Sequence, residues 1–315
     1  AAETGGGPDI VLGGHDRLGA WVEAGLIAPL EPPSAPEEDV LDVAEAAMRV
    51  DGAVWGYPVA VAAIGLIYNA DMIDAAPETL EEIAMLPTPA GVRPILWDYS
   101  DARFSFPLMA AGEGGAAMED GLPGAAVNGA AAQVGAEAIS ELIRVGAMPE
   151  GVDHAAASAA MKAGETLMVI DGSEAWAGLE ASGINYAVAP LPTVDGNPAV
   201  PFVEVYAAAI SAASPEHDLA VALIEEALLS PEGLAEWNAG GALGAPARPV
   251  ADAGQASDER IMATLASAAA GVPAPPEPAM DRLRAALAPA LVEITAGEVP
   301  VAAALDAAAE RLAAE

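Results

Sequence analysis

The chain of 315 residues has no cysteine, a single lysine (Lys162) and three histidines. The first absence excludes thiol nucleophiles, thiolate metal sites and disulfides together. His15, His154 and His217 include no pair at metal-binding helical spacing, so each reads as a surface residue and no metal or cofactor is expected. No apolar run reaches the roughly 18 residues needed to cross a bilayer; the longest, YPVAVAAIGLIYNA at 57–70, falls short. There is no G-x-S-x-G elbow and no Walker loop. GEGGAA at 112–117 is a degenerate echo of the dinucleotide fingerprint in which Glu113 would repel a pyrophosphate, and it reads as a turn.

Basic charge is scarce as well: 11 Lys and Arg stand against 47 Asp and Glu, a net charge of -36. Such a surface repels nucleic-acid phosphates and anionic lipid, so neither is expected as a partner. An acidic, lysine-poor coat suits high salt, where a Debye length of about 3 Å at 1 M mutes the self-repulsion. Arginine used almost to the exclusion of lysine, with abundant Ala and Gly, is also a mark of a GC-rich genome. What the chain does have is apolar content, 54% hydrophobic residues, in a length about twice that of one ordinary domain; two lobes follow.

Strand and helix patterns alternate. A short apolar strand at Ile10 to Leu12 gives way after Gly13-Gly14 to DRLGAWVEAGLIAPL, a helix closed by Gly25. An amphipathic helix carries Val40, Val43 and Ala47, and Asp51-Gly52 suits a type I′ hairpin turn. VAVAAIGLIYN reads as one long strand, and Thr79 with Glu82 as a capping box. AAQVGAEAISELIRVG is helical; ETLMVIDG, NYAVAPLP and PFVEVYAAAISAAS read as strands. Ser214 and Ser230, each followed by proline, read as helix caps. Two helices close the chain, the first with a kink expected at Pro289. The fold class is therefore α/β, with two sheets rather than one.

In open α/β sheets ligands collect beyond the carboxyl ends of strands, and Gly13-Gly14 would let the backbone turn there and present Asp16 and Arg17 to a cleft. An aspartate accepts from hydroxyls and an arginine donates to them, the pairing a sugar requires. The alternative is an ordinary salt bridge at an exposed helix start, worth at most about 1 kcal/mol. A second functional reading is a carbohydrate-active enzyme with Asp98 and Asp101 as a glycosidase-type carboxylate pair. Among 47 acidic residues such pairs arise by chance.

The runs GPDIVLGGHDRLG, AVWGYPVAVAAIGLIYNADMI, MKAGETLMVIDGSEAWA, INYAVAPLPTVDGNPAVPFV and SPEGLAEWN resemble the periplasmic maltose/maltodextrin-binding protein family of ABC sugar importers. The resemblance runs from about Gly7 to the last helix. It implies a two-lobed periplasmic-binding-protein fold of type II, each lobe a sheet flanked by helices, with a sugar cleft between them. It divides the chain into an N-terminal lobe of residues 1–61 and 208–255 and a C-terminal lobe of 62–207 and 256–315, with hinge strands near 60–66 and 203–208. It also implies a monomer that captures a sugar or oligosaccharide outside the cytoplasm, in the periplasm or beyond, and presents it to the membrane subunits of an ABC permease, without catalysis. Family members have a βαβ unit ahead of the stretch matching GPDIVLGGHD, so the N-terminal lobe is expected to be incomplete, and a fragment that binds nothing is a further reading.

By the same resemblance, Asp16 and Arg17 match the hydroxyl-binding acid and base, Phe104 keeps an aromatic after the cleft loop, and Asp101 keeps a carboxylate. The stacking tryptophan before the acid and base is Gly13 here, the cleft glutamate is Ala62, a stacking tyrosine is Arg103, and two tryptophans are Glu174 and Arg284. Each aromatic face contributes about 0.5–1.5 kcal/mol beyond its buried area, while micromolar affinity is about 8 kcal/mol, so specificity is expected to have changed toward a smaller, more polar or partly anionic ligand. Trp97, Tyr99 and Trp176 could supply replacement faces or could be core. The expected ligand-binding set is thus Asp16, Arg17, Asp101, Arg103, Phe104, Glu174, Trp176 and Arg284.

If the acidic coat is an adaptation to salt, the melting temperature climbs steeply between dilute buffer and molar salt in a calorimetric series. A flat response would remove that explanation of the -36 charge.

Overall fold

The computed structural model describes residues 7–30, 40–112, 127–237, 243–248 and 258–314. Glu113 and the rest of the GEGGAA motif beyond Gly112 lie outside them. Strand β1 (Ile10–Gly14) passes through a 3-10 turn at His15–Arg17 into α1 (Leu18–Glu23), which Gly25 closes at φ 63. Helix α2 (Asp42–Ala47) buries Val43, Ala44 and Ala47 on one face. Strands β2 (Arg49–Val50) and β3 (Ala53–Val54) form the expected hairpin, with Asp51 and Gly52 at φ 50 and 80, the two positive angles a type I′ turn needs.

The run read as one long strand is two. β4 (Tyr57–Ala63) and β5 (Gly65–Asn69) belong to different sheets, with Ile64 between them. Both are buried almost throughout, so no alternation marks the break. After α3 (Leu80–Ala84) come β6 (Arg93–Leu96), α4 (Ala102–Met109), α5 (Ala130–Arg144), α6 (His154–Ala163), β7 (Thr166–Asp171), α7 (Trp176–Ser182) and β8 (Tyr186–Ala189). The capping box forms at α3: Thr79 Oγ1 accepts from Glu82 N–H at 3.1 Å, and the Glu82 carboxylate accepts from Glu78 N–H at 3.0 Å. These strands make a sheet of order β6-β7-β5-β8. Gly65 is required where β5 meets β8, since a Cβ there would stand 2.8 Å from Ala189 O.

Strand β9 (Phe202–Ile210) returns to the first sheet, and α8 (His217–Leu223), α9 (Pro231–Trp237), β10 (Ala245–Pro246), α10 (Glu259–Ala270), β11 (Val272–Pro273), α11 (Glu277–Thr295) and α12 (Val301–Ala314) follow. The first sheet runs β1-β9-β4-β10, every pair antiparallel, and β11 joins β9 in parallel. Ser230 caps α9 as expected, accepting from Gly233 N–H at 3.0 Å. Ser214 does not cap α8, which begins at His217; its hydroxyl donates instead to Asp9 at 2.7 Å and ties that loop to the start of β1. Helix α11 continues through Pro289.

The largest apolar cluster fills the second sheet and the faces of α4, α5, α11 and α12 turned toward it. Two smaller clusters cover opposite faces of the first sheet, one around Leu18, Met48, Val61 and Val205, the other around Tyr57, Val59, Ile210 and Ile224. Helix α10 touches both sheets: it packs on β4 and on β8. Arg260, in its first turn, binds Glu180 at 2.7 Å and Tyr186 Oη at 2.9 Å, with its guanidinium 5.4 Å from the Trp176 ring centroid.

Two histidines make hydrogen bonds that tie distant parts of the chain together. His15 Nδ1 accepts from Val205 N–H at 3.1 Å and its Nε2–H donates to Ala274 O at 3.0 Å. Burial pushes its pKa below 6.5, which keeps the neutral tautomer this geometry needs. His154 Nε2–H donates to the buried Asp171 carboxylate at 2.9 Å, and its ring lies parallel to Phe104 at 5.5 Å. The expectation of a solvent-facing ring fails for His15, whose two ring nitrogens are claimed by backbone partners 190 and 259 residues away; the His154 side chain is 50% exposed, as expected.

Two outcomes follow for stability. Helices α4 and α5 meet at Gly135, where a Cβ would lie 2.5 Å from Met109 Cα, so Gly135→Ala lowers unfolding free energy by about 1–3 kcal/mol in denaturant titration; an unchanged midpoint would refute that close approach. For His15, a folded-state pKa below the unfolded value of 6.5 contributes stability that is present above 6.5 and lost as pH falls toward the folded pKa. The stability difference between wild type and His15→Gln therefore shrinks on acidification below pH 6.5, and a pH-independent difference would contradict the assignment.

Candidate functional site

Strand β1 ends in two glycines whose strand partners on β9 are Ala207 and Tyr206. A Cβ on Gly13 would lie 2.7 Å from the Trp21 ring. The position where the resemblance places a stacking aromatic is thus hemmed in by an aromatic from α1. Directly after the glycines, Asp16 and Arg17 stand at the rim of a cavity of about 370 Å³. Glu204 and Tyr206 of β9, Arg103 of α4 and Glu277 and Arg284 of α11 complete its polar wall, with Phe202, Pro275 and Met280 beside them.

Charged groups here are already engaged with one another. Arg103 Nη2 lies 2.7 Å from Glu174 Oε1 and 3.0 Å from Glu204 Oε1. Arg284 holds Asp101 at 3.1 Å, Glu277 at 3.3 Å and Asp281 at 3.2 Å. Asp101 also caps α4, accepting from Arg103 N–H at 2.9 Å. Arg17 lies 4.0 Å from Asp16 and its side chain is 69% exposed, which leaves it the most open of the three guanidiniums to a ligand. Burial pushes the Glu204 carboxyl above the ordinary glutamate range; Arg103 opposes the shift, and Glu174, Asp16 and Glu277 add to it.

Of the residues the sequence nominated, Asp16, Arg17, Arg103 and Arg284 line the cavity, and Asp101 and Glu174 stand behind them as ion-pair partners. Phe104 and Trp176 do not line it. Phe104 is buried on the core side of α4 against His154, and Trp176 packs at the start of α7 under Arg260. Trp97 and Tyr99 are core residues too: Trp97 Nε1–H donates to Ser105 Oγ at 3.1 Å, and Tyr99 Oη accepts from Gly151 N–H at 3.0 Å. Helix α4, capped by Asp101, turns its apolar side inward and takes Phe104 with it.

The carboxylate pair proposed for hydrolysis serves the fold. Asp98 Oδ1 accepts from Ser100 Oγ at 2.7 Å and from the N–H groups of Ser100 and Asp101, while Asp101 is held by its helix and by Arg284. Neither lines the cavity. Among the described residues no three His, Asp or Glu side chains are grouped to hold a metal ion.

Glu204, Tyr206, Glu277 and Met280 were not nominated. The signal for two of them was present: in PFVEVYAAAI the polar side chains recur at alternate positions, which puts Glu204 and Tyr206 on one face. Glu204 is the strand partner of Ala62. The carboxylate that the resemblance places at 62 is absent there, and one stands across the ladder instead.

Residues 1–265 match the family model of the bacterial extracellular solute-binding protein. One stretch of 83 residues is 28% identical to the Maltodextrin-binding protein MdxE of Bacillus subtilis (strain 168), and one of 87 residues is 30% identical to the Maltotriose-binding protein of Pyrococcus abyssi (strain GE5 / Orsay). Each match covers 26% of this chain and spans only 19% of the relative's length. With most of its length under the family model, the chain belongs to the bacterial extracellular solute-binding protein family.

Proposed function

We propose that the chain is the solute-capturing component of an ABC importer, working outside the cytoplasm, and that it holds a sugar or oligosaccharide in the cavity beyond β1. The observation that carries this reading is the convergence of Asp16 and Arg17 with Glu204, Arg103 and Arg284 on one cavity of about 370 Å³. Carboxylates that accept and guanidiniums that donate, set on the ends of strands and helices, suit a ligand rich in hydroxyls. Two relatives named for maltodextrin and maltotriose support the same ligand class. The aromatic positions expected from the family are occupied by Gly13, Arg103, Glu174 and Arg284, so recognition rests on polar contacts more than on stacking.

In this reading an N-terminal lobe (1–61 and 208–255) and a C-terminal lobe (62–207 and 256–315) close on the solute about hinge strands near 60–66 and 203–208. The single residue Ile64 separating β4 from β5 in different sheets supports a pivot there. Closure presents the loaded monomer to the permease, and no bond is made or broken.

Isothermal titration against maltodextrins, other oligosaccharides and sugar acids tests the assignment. At least one hydroxylated ligand binds in the micromolar range, about 8 kcal/mol, and Asp16→Asn weakens it about tenfold or more, since the aspartate's charge-assisted hydrogen bonds to hydroxyls are lost. No heat with any member of the panel would end the reading.

A further inference from the structure

We propose that the solute selected by this cavity carries a positive charge: a hydroxylated ligand with a free amine, of the amino-sugar class. This rests on the cavity being the sugar site, and it concerns the sign of the charge that site accepts.

Three guanidiniums face the cavity, Arg17, Arg103 and Arg284. Within 4.0 Å of them stand six carboxylates, those of Asp16, Glu174, Glu204, Asp101, Glu277 and Asp281. Every positive charge is therefore at least matched, Arg103 is shared between two glutamates and Arg284 among three acids, and the cluster carries a net charge of about -3 by formal count. Arg103 and Arg284 could meet an incoming anion only by giving up a carboxylate, and Arg17, the most exposed of the three, has Asp16 4.0 Å away to repel one. Breaking such a pair leaves the abandoned acid beside the anion, which is unfavourable twice over.

An ammonium meets the opposite situation. Asp16, Glu204 and Glu277 reach the same cavity from three separate elements, and a protonated amine has three N–H groups to offer them. Glu204 is the focus: burial first of all destabilises its charge, Arg103 opposes that, and Glu174, Asp16 and Glu277 add smaller repulsions. A cation placed there relieves all four acids at once. A bare metal ion is a poorer match, because these carboxylates are not grouped at ligating distance. The chain's own net charge of -36 acts in the same direction by raising the local concentration of cations.

The test is a titration series with four disaccharides: one of glucosamine, its N-acetylated form, maltose and a uronic-acid disaccharide, at a pH where the amine is protonated. The free amine is expected to bind about tenfold or more tightly than the N-acetylated form. That preference should vanish as pH rises past the amine's own pKa, shrink in Glu204→Gln and Glu277→Gln, and decline with added salt. Equal or tighter binding of maltose or of the N-acetylated sugar, or any preference for the uronic acid, overturns the charge assignment while the sugar site stands. Binding of none of the four overturns both.

Discussion

The edge of β9 is the constraint on which the cleft depends. On that edge β1 pairs with Tyr206 to Ile210, and β11 pairs with Phe202 and Val203. The two short strands do not meet, and Val205 N–H falls between them. A backbone donor without a partner inside a sheet is costly, and His15 supplies one, passing its other ring nitrogen to Ala274 just beyond β11. One imidazole thus completes the ladder and fastens together the ends of β1 and β11. Asp16 and Arg17 on one side, and Glu277 and Arg284 on the other, continue from the two strands so fastened, and the cavity is the space that this interruption opens.

Within that space, polar groups are held before any solute arrives. Arg284 bridges α11 to the cap of α4, and Arg103 bridges α4 to β9 and to the turn before α7. These contacts fix side chains that would otherwise lose several rotameric freedoms on binding. At Arg103 and Arg284, where the resemblance places aromatic faces, charged side chains stand instead, and the cavity wall they form is directional rather than flat and apolar.

How much of this could be read from the chain varied with the range of the interaction responsible. Asp51-Gly52, Thr79 with Glu82, and Ser230 are local devices whose meaning depends on neighbours within a few residues, and all three act as their spacing indicates. That Asp16 and Arg17 follow directly from a strand end and stand at the cavity rim is local too, set by the glycine pair before them. The division of 57–69 between two sheets was hidden because a fully buried run has no polar face to betray its partner. His15 was misjudged for a related reason: its partners lie 190 and 259 residues away. Phe104 and Trp176 were nominated through positions in a family pattern, and core packing claimed both. Alternation marks the face Glu204 occupies, but the company it keeps there, Arg103 from α4 and Glu277 from α11, comes from distant parts of the chain.

Helix α10 has a mechanical consequence. Its first turn is clamped through Arg260 to α7 and β8, while Ala268 near its far end is buried in the cluster beneath β4. It therefore acts as a strut laid across the single-residue passage at Ile64. A helix packed on both sheets makes their relative placement depend on more than the strands that cross between them, and its arginine end is the part held by polar contacts rather than by the core.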